Sequence, residues 1–238
     1  MVVTAADYVI LHEACTALDE RNIPYVIGGG TVVVLYGRQR RTKDFDLFLN
    51  RKYQRKAMDA LSLAGFTTTD TEKSWLYKAW RNETLVDLIV ESRGHMQVTA
   101  ETMSRARIVH QYGYFFRVMG PEDTLFRKIL TLTEGRPDWH DALSIIDRQQ
   151  GRLDWEYLLH LTRVKRQARR MLSFMLFART ELHNAPGTIR RGPDELYTGE
   201  HPGPVPEWMV YRLWNMLVEE EMPVDEQLPE LEYLPKAA

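Results

Sequence analysis

The stretch Ile27–Leu49 constrains the fold of this chain more than any other. A short apolar run leads into three consecutive glycines, an arginine-rich turn follows, and a second apolar run begins with Asp44 and Asp46. Because side chains alternate between the faces of a strand, the two carboxylates point the same way and the apolar residues that alternate with them point into a core. The pattern predicts two strands joined by a glycine turn, a short helix and a basic turn.

Asp87 supplies a third carboxylate in an unusual setting. It lies in the middle of the apolar run Thr84–Val90, which predicts a buried strand. Burying an unpaired carboxylate costs several kcal/mol, so a cation is expected nearby. Mg²⁺ takes oxygen ligands of this kind, and an ion shared with Asp44 and Asp46 would also relieve the repulsion between those two side chains. An ion pair with one of the arginines is the alternative.

The glycine turn favours a phosphate-bearing ligand. Gly29 and Gly30 leave backbone amides open to close approach, and Thr31 opens the expected helix. Basic residues surround the carboxylates: Arg38, Arg40, Arg41, Lys43, Arg51, Lys52, Arg55 and Lys56. Among them Arg41 either binds phosphate or pairs with a carboxylate.

A second basic cluster consists of Arg163, Lys165, Arg166, Arg169 and Arg170. Basic patches favour nucleoside triphosphates or RNA as ligands, and a solvated helix face is the alternative.

Composition limits the class of protein. The chain has 238 residues, a formal net charge of −2 and one cysteine, Cys15. A single cysteine excludes an internal disulfide and a cysteine-rich zinc site, and a reducing, cytoplasmic compartment is the default expectation. With no apolar run near about 20 residues and no basic leader, neither a membrane span nor a signal peptide is expected.

The pattern divides the chain into four regions. Residues 1–119 are expected to form an α+β core, a mixed sheet with flanking helices. Residues 120–184 turn helical and are expected to complete the cleft. Residues 185–206 are rich in Gly and Pro and predict a loop, and residues 207–238 predict a last helix and an acidic tail.

Two details of the core pattern are specific enough to test. Arg81–Glu83 predicts a hairpin turn between the strands Trp75–Trp80 and Thr84–Glu91. The segment Ile108–Val118 is expected to contain one further strand, with Gly113 as a bulge.

The motifs together carry a family resemblance. Gly29-Gly30-Thr31, then Arg41-Thr42-Lys43-Asp44-Phe45-Asp46, then Asp87 resemble the DNA polymerase β-type nucleotidyltransferase superfamily, and the likeness is closest to stand-alone enzymes of abortive-infection toxin–antitoxin systems. Gly120-Pro121-Glu122-Asp123-Thr124-Leu125 with Lys128 resembles the family's Pro-Glu-Asp-Leu helix and its lysine. The chain departs from the family at Pro137, where a lysine is common; Asp138 and Asp141 beside it predict a helix cap and a surface or hydrogen-bonding residue.

The resemblance implies a set of roles. Asp44, Asp46 and Asp87 are expected to be catalytic and to hold two Mg²⁺ ions. The expected nucleotide-binding residues are Gly29, Gly30, Thr31, Arg41 and Lys128. The implied reaction transfers a nucleoside monophosphate from a nucleoside triphosphate, ATP among them, to an acceptor hydroxyl and releases pyrophosphate.

Three readings of the acceptor and the role stay open. The basic clusters favour RNA, with a tRNA end as the target of a toxin-type enzyme and an antitoxin protein as its partner. The alternatives are a small antibiotic of the aminoglycoside type, or a non-catalytic module that binds a nucleotide or a partner.

Overall fold

The computed structural model describes residues 4–71, 73–132, 139–149, 151–184 and 205–218. The chain forms two compact units, Met1–Thr124 and Leu125–Ala238. No helix in the described ranges combines the length and the apolar character that crossing a bilayer would need.

Over the described residues, the first unit is a mixed seven-stranded sheet with helices packed on it. Its strands are β1 (Tyr25–Gly28), β2 (Asp44–Leu49), β3 (Thr67–Asp70), β4 (Leu76–Arg81), β5 (Thr84–Ile89), β6 (Arg107–Gln111) and β7 (Tyr114–Val118). Its helices are α1 (Ala5–Asp19), α2 (Gly29–Tyr36), α3 (Gln54–Leu63) and α4 (Ala100–Ser104), with a 3₁₀ turn at Arg51–Tyr53.

The strands lie in the order β3-β4-β5-β2-β1-β7-β6. β2 runs parallel to β5 and β1 runs parallel to β7, and the other neighbouring pairs are antiparallel. The α+β class predicted from the sequence is therefore confirmed.

Strand β2 lies at the centre of this sheet, and its alternation explains its position. Phe45, Leu47 and Leu49 are fully buried on one face, as the sequence predicts. The ring of Tyr8 from α1 packs edge-on against Phe45, with 5.2 Å between the ring centroids. Burying each of these side chains stabilises the fold by about 1.5–3 kcal/mol.

Helix α1 also buries the single cysteine of the chain. Cys15 is 4% exposed, beside the buried Leu11, Ala14 and Leu18 of the same helix. Burial raises the pKa of the Cys15 thiol to about 12.

The segment predicted to hold one strand with a bulge is instead a hairpin of β6 and β7, so that prediction was wrong. Gln111 pairs with Tyr114, which leaves Tyr112 and Gly113 as a two-residue turn. Both turn residues have positive φ, 48° and 88°, which is the conformation that matches the twist of a tight hairpin. Tyrosine seldom adopts it, so the sequence signal was weak.

The second unit is helical in the residues that the structure describes. Helix α5 (Pro121–Thr131) begins in the first unit and continues into the second, where α6 (Trp139–Arg148), α7 (Trp155–Leu161), α8 (Lys165–Asn184) and α9 (Glu207–Val218) follow. α9 packs against α7 and α8, and α6 packs against α8. Asp138, most of the predicted loop 185–206 and the tail beyond residue 218 lie outside the described residues.

Candidate active site

Four neighbouring strands place four residues in one row across the sheet. Lys78 of β4 pairs with Asp87 of β5, Asp87 pairs with Asp46 of β2, and Asp46 pairs with Gly28 of β1. Residues directly opposite on neighbouring strands project from the same face. Asp44 precedes Asp46 by two positions and projects from that face as well. The three carboxylates predicted from the sequence therefore share one face of the sheet.

The next row on the same face is entirely apolar. It consists of Leu76, Ile89, Phe48 and Val26. Three of these residues form a buried core cluster with Val98 and Met119, and Leu76 packs against it. The carboxylate row thus borders a layer of apolar side chains, which excludes water from the most deeply buried member of the row.

That member is Asp87, which is 8% exposed. Burial raises the pKa of its carboxyl, the nearby ammonium of Lys78 lowers it, and the charge of Asp44 raises it; the net direction is upward. Lys78 Nζ lies 3.4 Å from Asp87 Oδ1. At this distance the contact is an ion pair, and Oδ1 accepts no well-aligned hydrogen bond from any described residue. A buried carboxylate oxygen left in this state is a favourable place for a cation.

The glycine turn brings backbone directly against the carboxylates. Gly29 has a φ of 62°, and a Cβ at this position would collide with Asp46 Oδ2. A Cβ at Gly30 would lie 2.7 Å from Thr42 Oγ1. Both positions therefore need glycine, and the open amides at the positive end of the α2 dipole lie beside Asp46. Thr31 Oγ1 is buried there without a hydrogen-bond partner among the described residues.

The basic turn before β2 divides into a fixed part and an open part. Thr42 Oγ1 donates to the Asp44 carbonyl oxygen, with 3.2 Å between the oxygens, and lies 3.4 Å from Asp44 Oδ1. This contact fixes the end of the turn against the strand. Arg41 is exposed, and within the described part of the chain its guanidinium forms no ion pair. The side chain of Arg41 is accordingly available to a ligand.

Lys128 belongs to the second unit, where it has a protein partner. Its Nζ donates to Asp141 Oδ2 at 2.9 Å; Lys128 is 9% exposed and Asp141 is fully buried. Of the two alternatives predicted for Asp141, a surface residue or a hydrogen-bonding residue, the structure selects the second, because Asp141 shares the buried face of α6 with Ile145 one turn later. Its role as a hydrogen-bonding residue is confirmed. A role of Lys128 in nucleotide binding stays a prediction.

No three side chains of His, Cys, Asp or Glu form a ready-made metal cluster within the ranges that the structure describes. The carboxylate face holds instead a pair, Asp44 and Asp46, and a third carboxylate paired to Lys78. The sequence interpretation missed Lys78, although the signal was present. The turn after Arg81 sets Arg81 opposite Thr84, and counting back three pairs places Lys78 opposite Asp87.

Residues 8–171 match the model of a family described as nucleotidyl transferase of unknown function (DUF2204). The chain belongs to this family. The match includes the whole carboxylate row, the glycine turn and Lys128. The predicted membership of the polymerase β-type nucleotidyltransferase superfamily is thereby confirmed, and this DUF2204 protein is a nucleotidyltransferase. No curated protein matches it.

Solved structures of nucleotidyltransferases are similar to this DUF2204 chain at low identity. The antibiotic-resistance factor ANT(2'')-Ia is 17% identical, with 74% of this chain and 95% of that chain covered and a TM-score of 0.46. Lincomycin-bound LnuA, a lincosamide adenylyltransferase, is 16% identical, with 61% and 98% covered and a TM-score of 0.44. A nucleotidyltransferase-like protein of Paracoccidioides brasiliensis is 20% identical, with 75% and 94% covered and a TM-score of 0.43. These similarities are weak, and the family assignment rests on the sequence match.

Proposed function

We propose that this nucleotidyltransferase transfers a nucleoside monophosphate from a nucleoside triphosphate to an acceptor hydroxyl with the help of Mg²⁺. The observation that carries the proposal is the carboxylate face: Asp46 and Asp87 side by side in the sheet, with Asp44 next to them and Gly29 against Asp46.

The residues of this face fit a divalent ion. Asp87 Oδ1 is buried without a hydrogen bond from any described residue, and Gly29 places no side chain of its own against Asp46. Asp44 and Asp46 would hold two Mg²⁺ ions, with Asp87 sharing the second. Ions bound in this way neutralise charge on a triphosphate and lower the pKa of an attacking hydroxyl.

The chain's own groups bind the substrate and move the proton. Amides at the start of α2 and the unpartnered hydroxyl of Thr31 hold the phosphates. Asp87 accepts the proton of the acceptor hydroxyl, a task that suits a carboxylate with a raised pKa. The hydroxyl oxygen then bonds to the α-phosphorus, and the bond to the bridging oxygen breaks. Pyrophosphate leaves with the electron pair, and Arg41 stabilises its charge.

The acceptor that the second unit fits best is an RNA. Arg163 lies just before helix α8 and is exposed. Within the helix, the exposed Arg169 lines a groove of about 840 Å³ together with Trp139, Phe174 and Phe177. The rings of Trp139 and Phe177 stand at 89° with centroids 5.6 Å apart. Aromatic rings beside guanidinium groups bind single-stranded nucleic acid through base stacking and phosphate contacts.

One member of the second basic cluster has a structural task instead. Arg170 Nη1 donates to the carbonyl oxygens of Leu130 and Leu132, at 2.7 and 3.2 Å. It thereby caps the last turn of α5, where carbonyl groups lack partners within the helix. The RNA proposal therefore rests on the exposed Arg163, Arg166 and Arg169. A small polycationic acceptor would need acidic residues, and the acidic tail lies outside the described residues.

Labelled transfer tests the proposal directly. The full chain is incubated with Mg²⁺, total RNA and each α-labelled triphosphate in turn, with Asp46→Ala as the control. Label in RNA from the wild type alone is the expected result. Label in a protein or a small molecule would overturn the RNA acceptor, and no transfer with any acceptor would overturn the proposed function.

A further inference from the structure

Lys78 supplies a positive charge at the place where the proposed function needs a metal ion. In the row across the sheet, Asp87 lies between Lys78 on one side and Asp46 on the other. The ammonium is 3.4 Å from Asp87 Oδ1. It thus stands on the side of Asp87 that faces away from the carboxylate pair.

The contact has the features of a displaceable ion pair. The Lys78 side chain is 29% exposed and that of Asp87 is 11% exposed, so the lysine is the more exposed of the two partners. Asp87 Oδ1 accepts no well-aligned hydrogen bond, so the contact lacks the geometry of the strongest charged hydrogen bonds. The Lys78 ammonium also lies 5.7 Å from the centre of the Trp80 ring, a second favourable position close to the first.

We propose that Lys78 is the resident counter-cation of Asp87 and that a divalent ion must displace its ammonium before Asp87 serves as a ligand. This inference rests on the proposed function, because it concerns the same carboxylate face.

The arrangement makes loading of the site sequential. Lys78 stands at the end of the row beside Asp87, whereas a first ion at Asp44 and Asp46 arrives with the triphosphate, whose negative charge adds to that of the two carboxylates. A second ion at Asp87 has to compete with a tethered positive charge, and repulsion between that charge and the ion lowers the affinity. The second ion site is therefore the weaker one and fills last, which keeps the site incomplete until a substrate is bound.

Binding of Mn²⁺ to the full chain without nucleotide tests the proposal, measured by electron paramagnetic resonance and calorimetry at about pH 8, where carboxylates are ionised. Lys78→Met keeps an unbranched side chain one atom shorter than lysine and removes the charge. Lys73→Met is the matched control, because the Lys73 ammonium likewise lies near a tryptophan ring, 5.4 Å from that of Trp75, and in the described part of the chain it makes no ion pair.

The expected result is that Lys78→Met binds Mn²⁺ about tenfold more tightly than the wild type, since a like charge near the ion has been removed, while Lys73→Met is unchanged. Combined with Asp87→Asn, the Lys78→Met substitution should have no effect, which separates action through Asp87 from a general change of charge. Lys78→Arg keeps the charge and should bind as the wild type does.

Three outcomes would overturn the inference. Unchanged or weaker Mn²⁺ binding in Lys78→Met would mean that Lys78 only holds Asp87 in place. An effect that persists in the Asp87→Asn background would mean that Lys78 acts elsewhere. In both cases the proposed function stands, because the wild type binds Mn²⁺. If neither protein binds the ion without nucleotide, the inference about Lys78 falls, and the proposed function falls with it only if the wild type also gives no labelled transfer.

Discussion

Two Lys–Asp pairs, one in each unit of the molecule, differ in nearly every physical respect. Lys78 and Asp87 are 3.4 Å apart without a well-aligned hydrogen bond, and the lysine is partly exposed. Lys128 and Asp141 are 2.9 Å apart with a hydrogen bond, and the aspartate is fully buried. The Lys78 side chain is 29% exposed and that of Lys128 is 11% exposed, so the first ammonium is the easier of the two to return to water. Opening the second pair would leave a charge in the core. The same residue types therefore provide a replaceable cation in one place and a fixed contact in the other.

The largest effect should come from removing a carboxylate beside the loose pair. Asp46→Ala, and likewise Asp44→Ala, should lower the rate of labelled transfer about a thousandfold or more, since a divalent ion contributes several kcal/mol to the reaction. Stability without Mg²⁺ should hold or rise slightly, because repulsion within the carboxylate pair is relieved. Thermal unfolding provides the check. Unfolding of both variants would make the pair structural and remove the main support for the metal site.

The second prediction sharpens the contrast between the two lysines. Lys128→Met should destabilise the protein by about 3–5 kcal/mol, because it leaves Asp141 charged and buried. Lys78→Met should cost about 1 kcal/mol or less, because its pair is partly solvated and protonation can neutralise Asp87. Urea denaturation of both variants measures the two losses. Equal losses would contradict the distinction between a fixed pair and a replaceable one.

The third prediction concerns pH. The folded-state pKa of Asp87 is raised, so the folded protein holds this proton more tightly than the unfolded chain does. The wild type without metal should therefore lose stability as the pH rises from the unfolded value near about 4 through the folded pKa, and then level off. Asp87→Asn should lack this loss, be the more stable protein at neutral pH and have little transferase activity. The measurement is the difference in unfolding free energy between the two proteins across that range; a flat difference, or near-normal activity, would count against Asp87.

The smallest effect concerns the second unit. Charge reversal of Arg163, Arg166 and Arg169 together should raise the KM for RNA about threefold to tenfold and weaken its salt dependence. The KM for the triphosphate should change less, and Lys73→Glu serves as an exposed control. Arg170 is left intact because it caps α5. A transfer rate indifferent to both salt and charge reversal would eliminate the RNA acceptor.

The elements that the sequence predicted best are those with a strong local pattern. The carboxylates of β2 and the charge inside β5 could be predicted, because alternation along a strand is a property of neighbouring residues. The pairing of Asp46 with Asp87 could not be predicted in this way, since it depends on which strand lies beside β2. That strand is β5, and two other strands separate it from β2 along the chain. The roles of the site residues remain predictions.

The features that the sequence did not predict have the same origin. The burial of Asp141 depends on which face of α6 packs inward, and a charged residue on that face gives a misleading signal until its partner Lys128 is known. The turn at Tyr112 needed a conformation that the residue itself disfavours. Lys78 could have been found, because the short turn after Arg81 fixes the register of its hairpin.

Cys15, on the buried face of α1, has a practical consequence for spectroscopy. A thiol that is 4% exposed and has a pKa of about 12 is almost entirely protonated at neutral pH and shielded from reagents. It is also the only cysteine in the chain. An engineered cysteine at an exposed position, such as Leu63 at the end of α3, would then be the one site that a maleimide dye labels, and the native sequence needs no cysteine removed beforehand.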